Sequence, residues 1–292
     1  MSGALLKTEK GIVLVAAIFL IVIFGFLGIT AVSLIGTQGF TAANEVRSDQ
    51  AFFIAEGGGE YGQLEMMKNL DWYRSTVDPV LIPAMNLGAG TFNVSINLPA
   101  TMLRTRIPTG TSTTPIQVYT ASRFPSTGYL QVDDSITTGE FIQYTGISGN
   151  TFTGITRNVS IGGTGGAAGD HDRGNRVYPV TTLTTALSND CNPLSTLSLA
   201  AHPKFLSAGT IDIQEEEVSY TGSSTSGGTL TLTGISRCQN GTTSTAHASG
   251  VPVTPMLIDG FAPDFQSELV STGSVSLVSG SAARVVLKMV ER

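Results

Sequence analysis

Charged side chains are scarce in this sequence. Its 292 residues include only 16 Lys or Arg and 22 Asp or Glu, and the formal net charge is −6. Because there is no basic excess to neutralise phosphates, we predict no nucleic-acid partner. Walker loops, dinucleotide fingerprints, the Cys–His spacings of zinc sites and the nucleophile elbow of hydrolases are missing as well. We therefore predict that the protein is not an enzyme and has no cofactor and no assigned metal site.

The sequence has only two cysteines. Cys191 lies in the stretch SNDCNPLS, and Cys238 directly follows Arg237. In an exported domain, two cysteines usually pair. A bond between them would close a long loop and stabilise the fold by roughly 4 kcal/mol. We predict the Cys191–Cys238 disulfide on the condition that the domain is exported. Two separate buried thiols are the alternative.

One long stretch, from Gly11 to Asn44, carries no charge at all. Its core, residues 12–36, is longer than the roughly 20 residues that cross a bilayer as a helix. It is also longer than the apolar core of a cleaved secretory signal, about 7–15 residues. We therefore predict a single transmembrane helix. Two lysines, Lys7 and Lys10, precede it, which favours a cytoplasmic N-terminus and an external C-terminal part.

The helical pattern continues beyond the apolar stretch. Apolar residues between Val46 and Ala55 form a broad face with charges between them, so we predict one helix over residues 12–70. The run Gly57–Gly59 opposes this, because three interior glycines cost about 3 kcal/mol relative to alanine. Two interpretations stay open: the helix breaks there, or the glycines allow close packing. Gly25 and Gly28 are milder interruptions.

The start of the chain, KTEKG followed by IVLVAAIFLIVIFGFLG, resembles the leader and helix of type IV pilins and pseudopilins. The resemblance implies a leader over residues 1–11, cut by a prepilin peptidase between Gly11 and Ile12, and methylation. Residues 51–62, AFFIAEGGGEYG, are similar to a stretch of many minor pilins, and residues 279–292 resemble the last strand of PilX-type minor pilins. The implied partners are the inner membrane and then other pilin subunits in an extracellular filament at the cell surface.

One position departs from the family pattern. Most pilins carry a glutamate at the fifth mature residue, thought to neutralise a neighbouring N-terminal amine, and that position is Ala16 here. A buried ammonium without a partner is costly. A subunit that repeats along a filament is therefore expected to supply the carboxylate. Ala16 favours a minor subunit over a major one.

After the helix, the pattern becomes that of strands. Phe92, Val94, Ile96 and Leu98 alternate along residues 90–99, which predicts a half-buried strand, and two more strands follow near the C-terminus. The predicted fold class is α+β: a long N-terminal transmembrane and amphipathic helix packed on an antiparallel β-meander, with an inserted all-β repeat domain. We assign residues 71–102 and 258–292 to a pilin-like head and residues 103–257 to the insertion.

The insertion contains two copies of one pattern, at about residues 126–180 and 207–254. Each copy has a Glu, a Tyr four residues later, an Arg after a Thr-Gly-Ile triplet, and an H-x-x-G-x-x-V stretch. The landmarks are Glu140, Tyr144, Arg157 and His171 in the first copy and Glu216, Tyr220, Arg237 and His247 in the second. Each copy is expected to form strand, turn, strand, Gly-rich loop and strand. The turns fall at Gly149-Asn150 and Ser226-Gly227-Gly228.

Structural roles are the favoured interpretation for the histidines and the acidic clusters. Since His171 and His247 recur at one repeat position, we predict a structural role, such as bonding to their own loop, and a metal-binding or catalytic role is the alternative. Asp170 and Asp172 in a Gly-rich loop are an alternative calcium site, although no twelve-residue Ca²⁺ loop is present. The run Glu215–Glu217 is interpreted as charges on an edge strand.

These patterns favour a structural or interaction subunit of a type IV pilus or related filament, acting in assembly or surface adhesion. The alternative is a single-pass membrane-anchored adhesin whose repeats bind a surface receptor or glycan, with no filament role. Cleavage at Gly11–Ile12 and presence in filaments discriminate between the two hypotheses.

Overall fold

The computed structural model describes residues 5–68, 74–110, 113–132, 139–165, 168–255, 266–277 and 280–291. The predicted leader lies outside this description, except for the helical backbone of residues 5–11. In chain order the elements are α1 (Leu5–Lys68), β1 (Val80–Leu87), β2 (Gly90–Asn97), β3 (Thr101–Met102), β4 (Ile116–Gln117), β5 (Gly128–Val132), β6 (Glu140–Tyr144), β7 (Gly146–Ser148), β8 (Thr151–Thr153), β9 (Arg176–Thr182), β10 (Leu194–Ala200), β11 (Gly209–Ile213), β12 (Glu216–Tyr220), β13 (Gly222–Ser226), β14 (Thr229–Ile235), β15 (Pro252–Val253), β16 (Gln266–Leu277) and β17 (Gly280–Glu291).

The predicted fold class is confirmed. A four-stranded antiparallel sheet with the order β1-β2-β16-β17 packs against the second half of α1. We call α1 residues 47–68 and this sheet the head. The segment between β2 and β16 forms further antiparallel sheets, so it is an insertion between two neighbouring head strands.

Helix α1 is continuous through the Gly57–Gly59 run, so the close-packing interpretation is the correct one. A Cβ at Gly58 would collide with Ser271 and Phe92 of the sheet. A Cβ at Gly62 would lie 2.6 Å from a methyl carbon of Leu269. The missing side chains let the helix approach the sheet, and this contact offsets the weak helix propensity of glycine.

The predicted head strands are confirmed as β2, β16 and β17. In β2 the predicted inward residues Phe92, Val94 and Ile96 are each no more than 5% exposed, and they pack with Ala51 and Ile54 of α1. Alternation with period two gives a strand one buried face, and the helix covers that face.

Sequence reasoning missed β1, the edge strand of the head. Pro83 lies inside β1, and proline disfavours a regular strand. The pairing of β1 with β2 shifts register between Ile82 and Met85, so Pro83 falls in the irregular part. An edge strand with a bulge is where a sheet accepts proline, because no ladder hydrogen bond is lost.

Each copy of the repeat has its own large hydrophobic core. We call residues 101–180 module 1 and residues 181–254 module 2. The first core runs from Leu103 to Val177 and the second from Leu183 to Val253. Each core therefore includes residues upstream of the predicted repeat starts at about 126 and 207. The two-residue turns of both copies are present, with Gly149 and Gly227 at positive φ.

Strand β9 connects the two modules. Its beginning pairs with β3, where Thr101 lies opposite Val177, and its end pairs with β15, where Thr181 lies opposite Val253. These two pairs occupy the same position in the two copies. One strand thus closes module 1 and opens module 2.

Candidate functional surfaces and clusters

The first half of α1 is fully exposed in the isolated chain. Every residue from 12 to 46 is exposed, including Ile12, Ala16, Gly25 and Gly28. The helix is long and apolar enough to cross a membrane, with a mean hydropathy of 3.2 in its most apolar window. A Cβ at Gly25 or Gly28 would meet no atom of the described residues within 4 Å. Burial of this surface requires lipid or other helices.

Hydroxyl groups in the exposed half are bonded to the helix itself. Thr30 donates to the carbonyl of Leu27 at 2.9 Å, and Thr37 and Thr41 donate to carbonyls one turn earlier. A bilayer or helix bundle offers no water to these groups, so this internal bonding makes the helix compatible with both surroundings.

The repeat landmarks Glu140, Arg157 and His171 form one buried cluster in module 1. Arg157 Nε donates to Glu140 Oε1 at 2.9 Å, and Arg157 Nη2 bonds the second carboxylate oxygen. His171 Nε2 lies 2.9 Å from Glu140 Oε2. Arg157 also donates to the carbonyls of Pro108 and Gly169. The guanidinium thereby ties the central hairpin to both flanking loops of the module.

Module 2 repeats this cluster with Glu216, Arg237 and His247. Arg237 donates from Nε and Nη2 to the two oxygens of Glu216, each at 2.7 Å, and His247 Nε2 lies 2.7 Å from Glu216 Oε2. His247 Nδ1 has a further partner in Gln214 Oε1 at 3.0 Å. The predicted structural role of the two histidines is consistent with this geometry, and their partner is a carboxylate of the same module.

The clusters hold their carboxylates in the charged form. Burial acts to raise the pKa of Glu140 and of Glu216, but hydrogen bonds from the neighbouring His and Arg outweigh it, and both pKa values lie below the usual range. The same bonds raise the pKa of Arg237. A charged, fully bonded cluster suits a structural connection rather than proton transfer.

The interpretation of Glu215–Glu217 as edge charges is wrong for two of the three residues. Glu216 and Glu217 are each 1% exposed, and Glu215 alone is exposed. The alternative calcium site in the module 1 loop has a competing partner, because Arg106 bonds both oxygens of Asp170. Periodicity indicated that this region is a strand, but it could not show which glutamates face inward.

The predicted disulfide between Cys191 and Cys238 is confirmed, with an S–S distance of 2.02 Å. It joins the start of module 2 to the residue that follows Arg237. The equivalent residue in module 1 is Asn158, and both positions have a positive φ. Only module 2 therefore carries a covalent bond at the base of its loop.

A buried ion pair joins the head to both modules. Lys204 Nζ lies 2.5 Å from Asp78 Oδ2, and both side chains are fully buried. Asp78 also accepts from the backbone N–H of Leu98 at 3.0 Å and pairs with Arg123 of module 1 at 3.4 Å. Burial lowers the pKa of Lys204 to about 8 despite Asp78.

A second contact fixes module 2 against the head. Glu268 of β16 accepts a hydrogen bond from the backbone N–H of Ser207 at 3.1 Å, and Asn97 of β2 donates to its other oxygen at 2.6 Å. Local sequence patterns predict neither contact, since the partners lie in separate segments of the chain. Together the two contacts hold the insertion in one orientation on the head.

Comparison of the chain with protein-family models, with curated proteins and with solved structures finds no match in any of the three. The pilin-like character therefore rests on the architecture itself: a long N-terminal apolar helix packed on an antiparallel sheet.

Proposed function

We propose that this chain is a minor subunit of a type IV pilus or related filament, and that it displays its two modules at the filament surface or tip. The observation that carries the proposal is the division of α1. Residues 12–46 are exposed and mostly apolar, whereas the residues from Ala51 to Gly62 pack on the head sheet. Such a helix can lie in the inner membrane first and then among the helices of other subunits.

The head and the modules support display rather than catalysis. Buried clusters, the disulfide and the Lys204–Asp78 pair all act to fix module positions. Because the modules keep one orientation on the head, their exposed surfaces would face outward from the filament. Adhesion to a receptor or glycan, or assembly with other subunits, is the role that suits this arrangement.

The position of Ala16 supports a subunit present in few copies. Its methyl group provides no carboxylate for the N-terminal amine that cleavage before Ile12 would create. A tip or initiating subunit has fewer neighbours to neutralise, so the missing charge costs less there.

Two measurements test the proposal in producing cells. The N-terminus of the membrane and filament forms is determined by mass spectrometry, with Gly11→Val as the test variant and Gly28→Ala as the matched control. We expect a mature chain beginning at Ile12 in the wild type and control, and an uncut chain in Gly11→Val. A wild-type chain that keeps its first eleven residues contradicts the proposal.

The second measurement is fractionation after mechanical shearing. We expect the protein in sheared filaments at a low ratio to the main subunit. Full retention in membranes would instead identify a single-pass anchored adhesin, which the exposed apolar helix alone would also explain.

A further inference from the structure

Two acidic side chains face each other inside module 2. Asp212 of β11 lies directly opposite Glu217 of β12 in the antiparallel pairing, so their side chains share one face of the hairpin. Asp212 is 6% exposed and Glu217 is 1% exposed. Glu217 accepts a hydrogen bond from Asn240 Nδ2 at 2.8 Å, and a proton or a cation near Asp212 would relieve the repulsion between the two carboxylates.

Neither an Arg nor a Lys of the described residues forms an ion pair with Asp212. Its Oδ2 has no hydrogen-bond partner within the described part of the chain, and the same is true of Thr254 Oγ1. Thr254 is 2% exposed and adjoins Asp212, because their backbones exchange hydrogen bonds of 2.9 and 3.1 Å. Buried oxygens without partners are rare in folded proteins and call for an explanation.

Asp212 and Thr254 both line a small cavity between the modules. Its volume is about 20 Å³, enough for one water molecule or one ion. Gln214 of module 2 and Gln131 of module 1 also line it. The cavity thus brings a carboxylate, a hydroxyl and amide groups together from two modules.

The acidic pair is not a requirement of the fold. By alignment of the two copies, Asp212 corresponds to Gln131 and Glu217 to Phe141. On the same face of the module 1 hairpin, Gln131 is a neutral amide and Phe141 packs on Ile161 and Val180. Module 2 carries two charges where module 1 carries an amide and an aromatic ring, so folding of the hairpin does not require the carboxylates.

We propose that this cavity is a cation site, that Ca²⁺ is its ion, and that the bound ion joins module 1 to module 2. Oxygen is the donor atom that Ca²⁺ prefers, in mixtures of carboxylate, hydroxyl, amide and water ligands. Asp212 Oδ2 and Thr254 Oγ1 supply ligands from module 2, and Gln131 supplies one from module 1. Asp212 supplies a negative charge at the cavity itself, and Glu217, opposite it in the hairpin, adds a second negative charge nearby.

Burial at this cavity also favours the neutral form of the Asp212 carboxyl. Burial raises the pKa of Asp212 to about 7, and the neighbouring Glu215, Glu217 and Glu216 add to the effect. No group of three or more His, Cys, Asp or Glu side chains that could hold a metal occurs among the described residues. The proposed site therefore depends on hydroxyl and amide oxygens as well as on the Asp212 carboxylate.

Calorimetric titration of the full chain in detergent, after removal of divalent ions with a chelator, tests the site. We expect one Ca²⁺ per chain and a rise in the thermal unfolding midpoint of the wild type. Asp212→Asn abolishes both effects, because it removes the negative charge that attracts the ion, and Thr254→Val weakens binding by at least about tenfold, because it removes one ligand. Glu215→Gln, which removes an exposed charge next to the site, binds as the wild type does.

Three results would overturn the proposal. The first is no heat of binding and no Ca²⁺-dependent midpoint in a wild-type chain that unfolds cooperatively. The second is an equal loss of binding in Glu215→Gln and Asp212→Asn, which identifies diffuse surface attraction. The third is an Asp212 carboxyl that titrates near pH 7 in the presence and absence of Ca²⁺, observed by NMR, which identifies a proton as the occupant.

Discussion

Arg237 donates two parallel hydrogen bonds to Glu216, from Nε to Oε1 and from Nη2 to Oε2, each 2.7 Å long. Both side chains are fully buried. Module 1 has the same pair in Arg157 and Glu140. A bidentate pair in a buried site is strong only while both partners are present, because a single remaining charge has no water to solvate it.

Substitution of one partner should therefore unfold one module selectively. We expect Arg237→Met to destabilise module 2 by about 3–5 kcal/mol, since Glu216 stays buried without its counter-charge. Hydrogen exchange with mass spectrometry locates the loss of protection. Arg157→Met is the matched variant and should expose module 1 instead. Equal loss of protection across both modules in either variant would show that the modules do not fold as separate units.

Reduction of the Cys191–Cys238 disulfide should affect module 2 more than module 1. Its loop of 47 residues predicts a loss of roughly 4 kcal/mol when the bond is removed. The double variant Cys191→Ser, Cys238→Ser should match the reduced wild type in a urea titration. Module 1 has Asn158 at the equivalent position and no disulfide, so its protection from hydrogen exchange serves as the internal control. An unchanged midpoint after reduction would contradict this expectation.

The glycines of α1 divide into those that touch the sheet and those that do not. We expect Gly58→Ala to destabilise the head by about 1–2 kcal/mol, because overpacking against Phe92 and Ser271 outweighs the gain in helix propensity. Gly39→Ala, whose Cβ meets nothing described within 4 Å, should be neutral or stabilising by up to about 1 kcal/mol. Thermal unfolding of both variants in the same detergent gives the comparison. A Gly58→Ala chain as stable as the wild type would mean that the helix and the sheet leave room for a methyl group at this position.

The sequence predicted those parts of the fold that repeat a simple period. Helix α1 and strand β2 each show one apolar face over many residues, so burial followed from pattern alone. Strand β1 was missed because it contains Pro83, which disfavours a strand. Proline fits an edge strand only where its residue makes no ladder hydrogen bond, and the local sequence does not show where those positions are.

The sequence predicted the residues of the candidate clusters but not the contacts between them. The repeat identified Glu216, Arg237 and His247 as landmarks, but contact between Glu216 and His247 depends on how distant strands fold together. Lys204 and Asp78 lie 126 residues apart and belong to no repeat. A single lysine in a loop has the same local appearance whether it is solvated or buried, so packing alone decides between the two.

Stability should depend on pH through Asp212 in the absence of divalent ions. The raised pKa, about 7 against an ordinary 3.8, means that the folded state keeps a proton which the unfolded state has lost between these values. The free energy of unfolding therefore falls as pH rises from about 4 to about 7, by a few kcal/mol at most. Asp212→Asn should remove this slope.

Urea titrations of wild type and Asp212→Asn from pH 4 to pH 8 measure the difference directly. Glu140 and Glu216 have lowered pKa values, so their contribution is lost only as pH falls below the usual range of a glutamate. That loss is common to both proteins and cancels in the comparison. A constant difference between the two proteins across the pH range would show that Asp212 is charged throughout.

The orientation of the insertion on the head should depend on the buried pair of Lys204 and Asp78. We expect Lys204→Met to destabilise the protein by about 3–5 kcal/mol, because buried Asp78 loses its nearest partner and Arg123 alone, at 3.4 Å, pairs with it weakly. The double variant Asp78→Asn, Lys204→Met should recover part of this loss, since Arg123, the charge that remains at the junction, is partly exposed and still donates to the carbonyl of Pro203.

The matched control for this junction is Lys288→Met, which removes a lysine from a pair with the largely exposed Glu60. An exposed pair contributes less than about 1 kcal/mol, so the control should behave almost as the wild type. Urea titration measures the three variants, and hydrogen exchange reports whether β1, β2 and the loop before β11 lose protection together. If Lys204→Met costs no more than Lys288→Met, the junction is held by apolar packing, and the modules would keep their orientation without the ion pair.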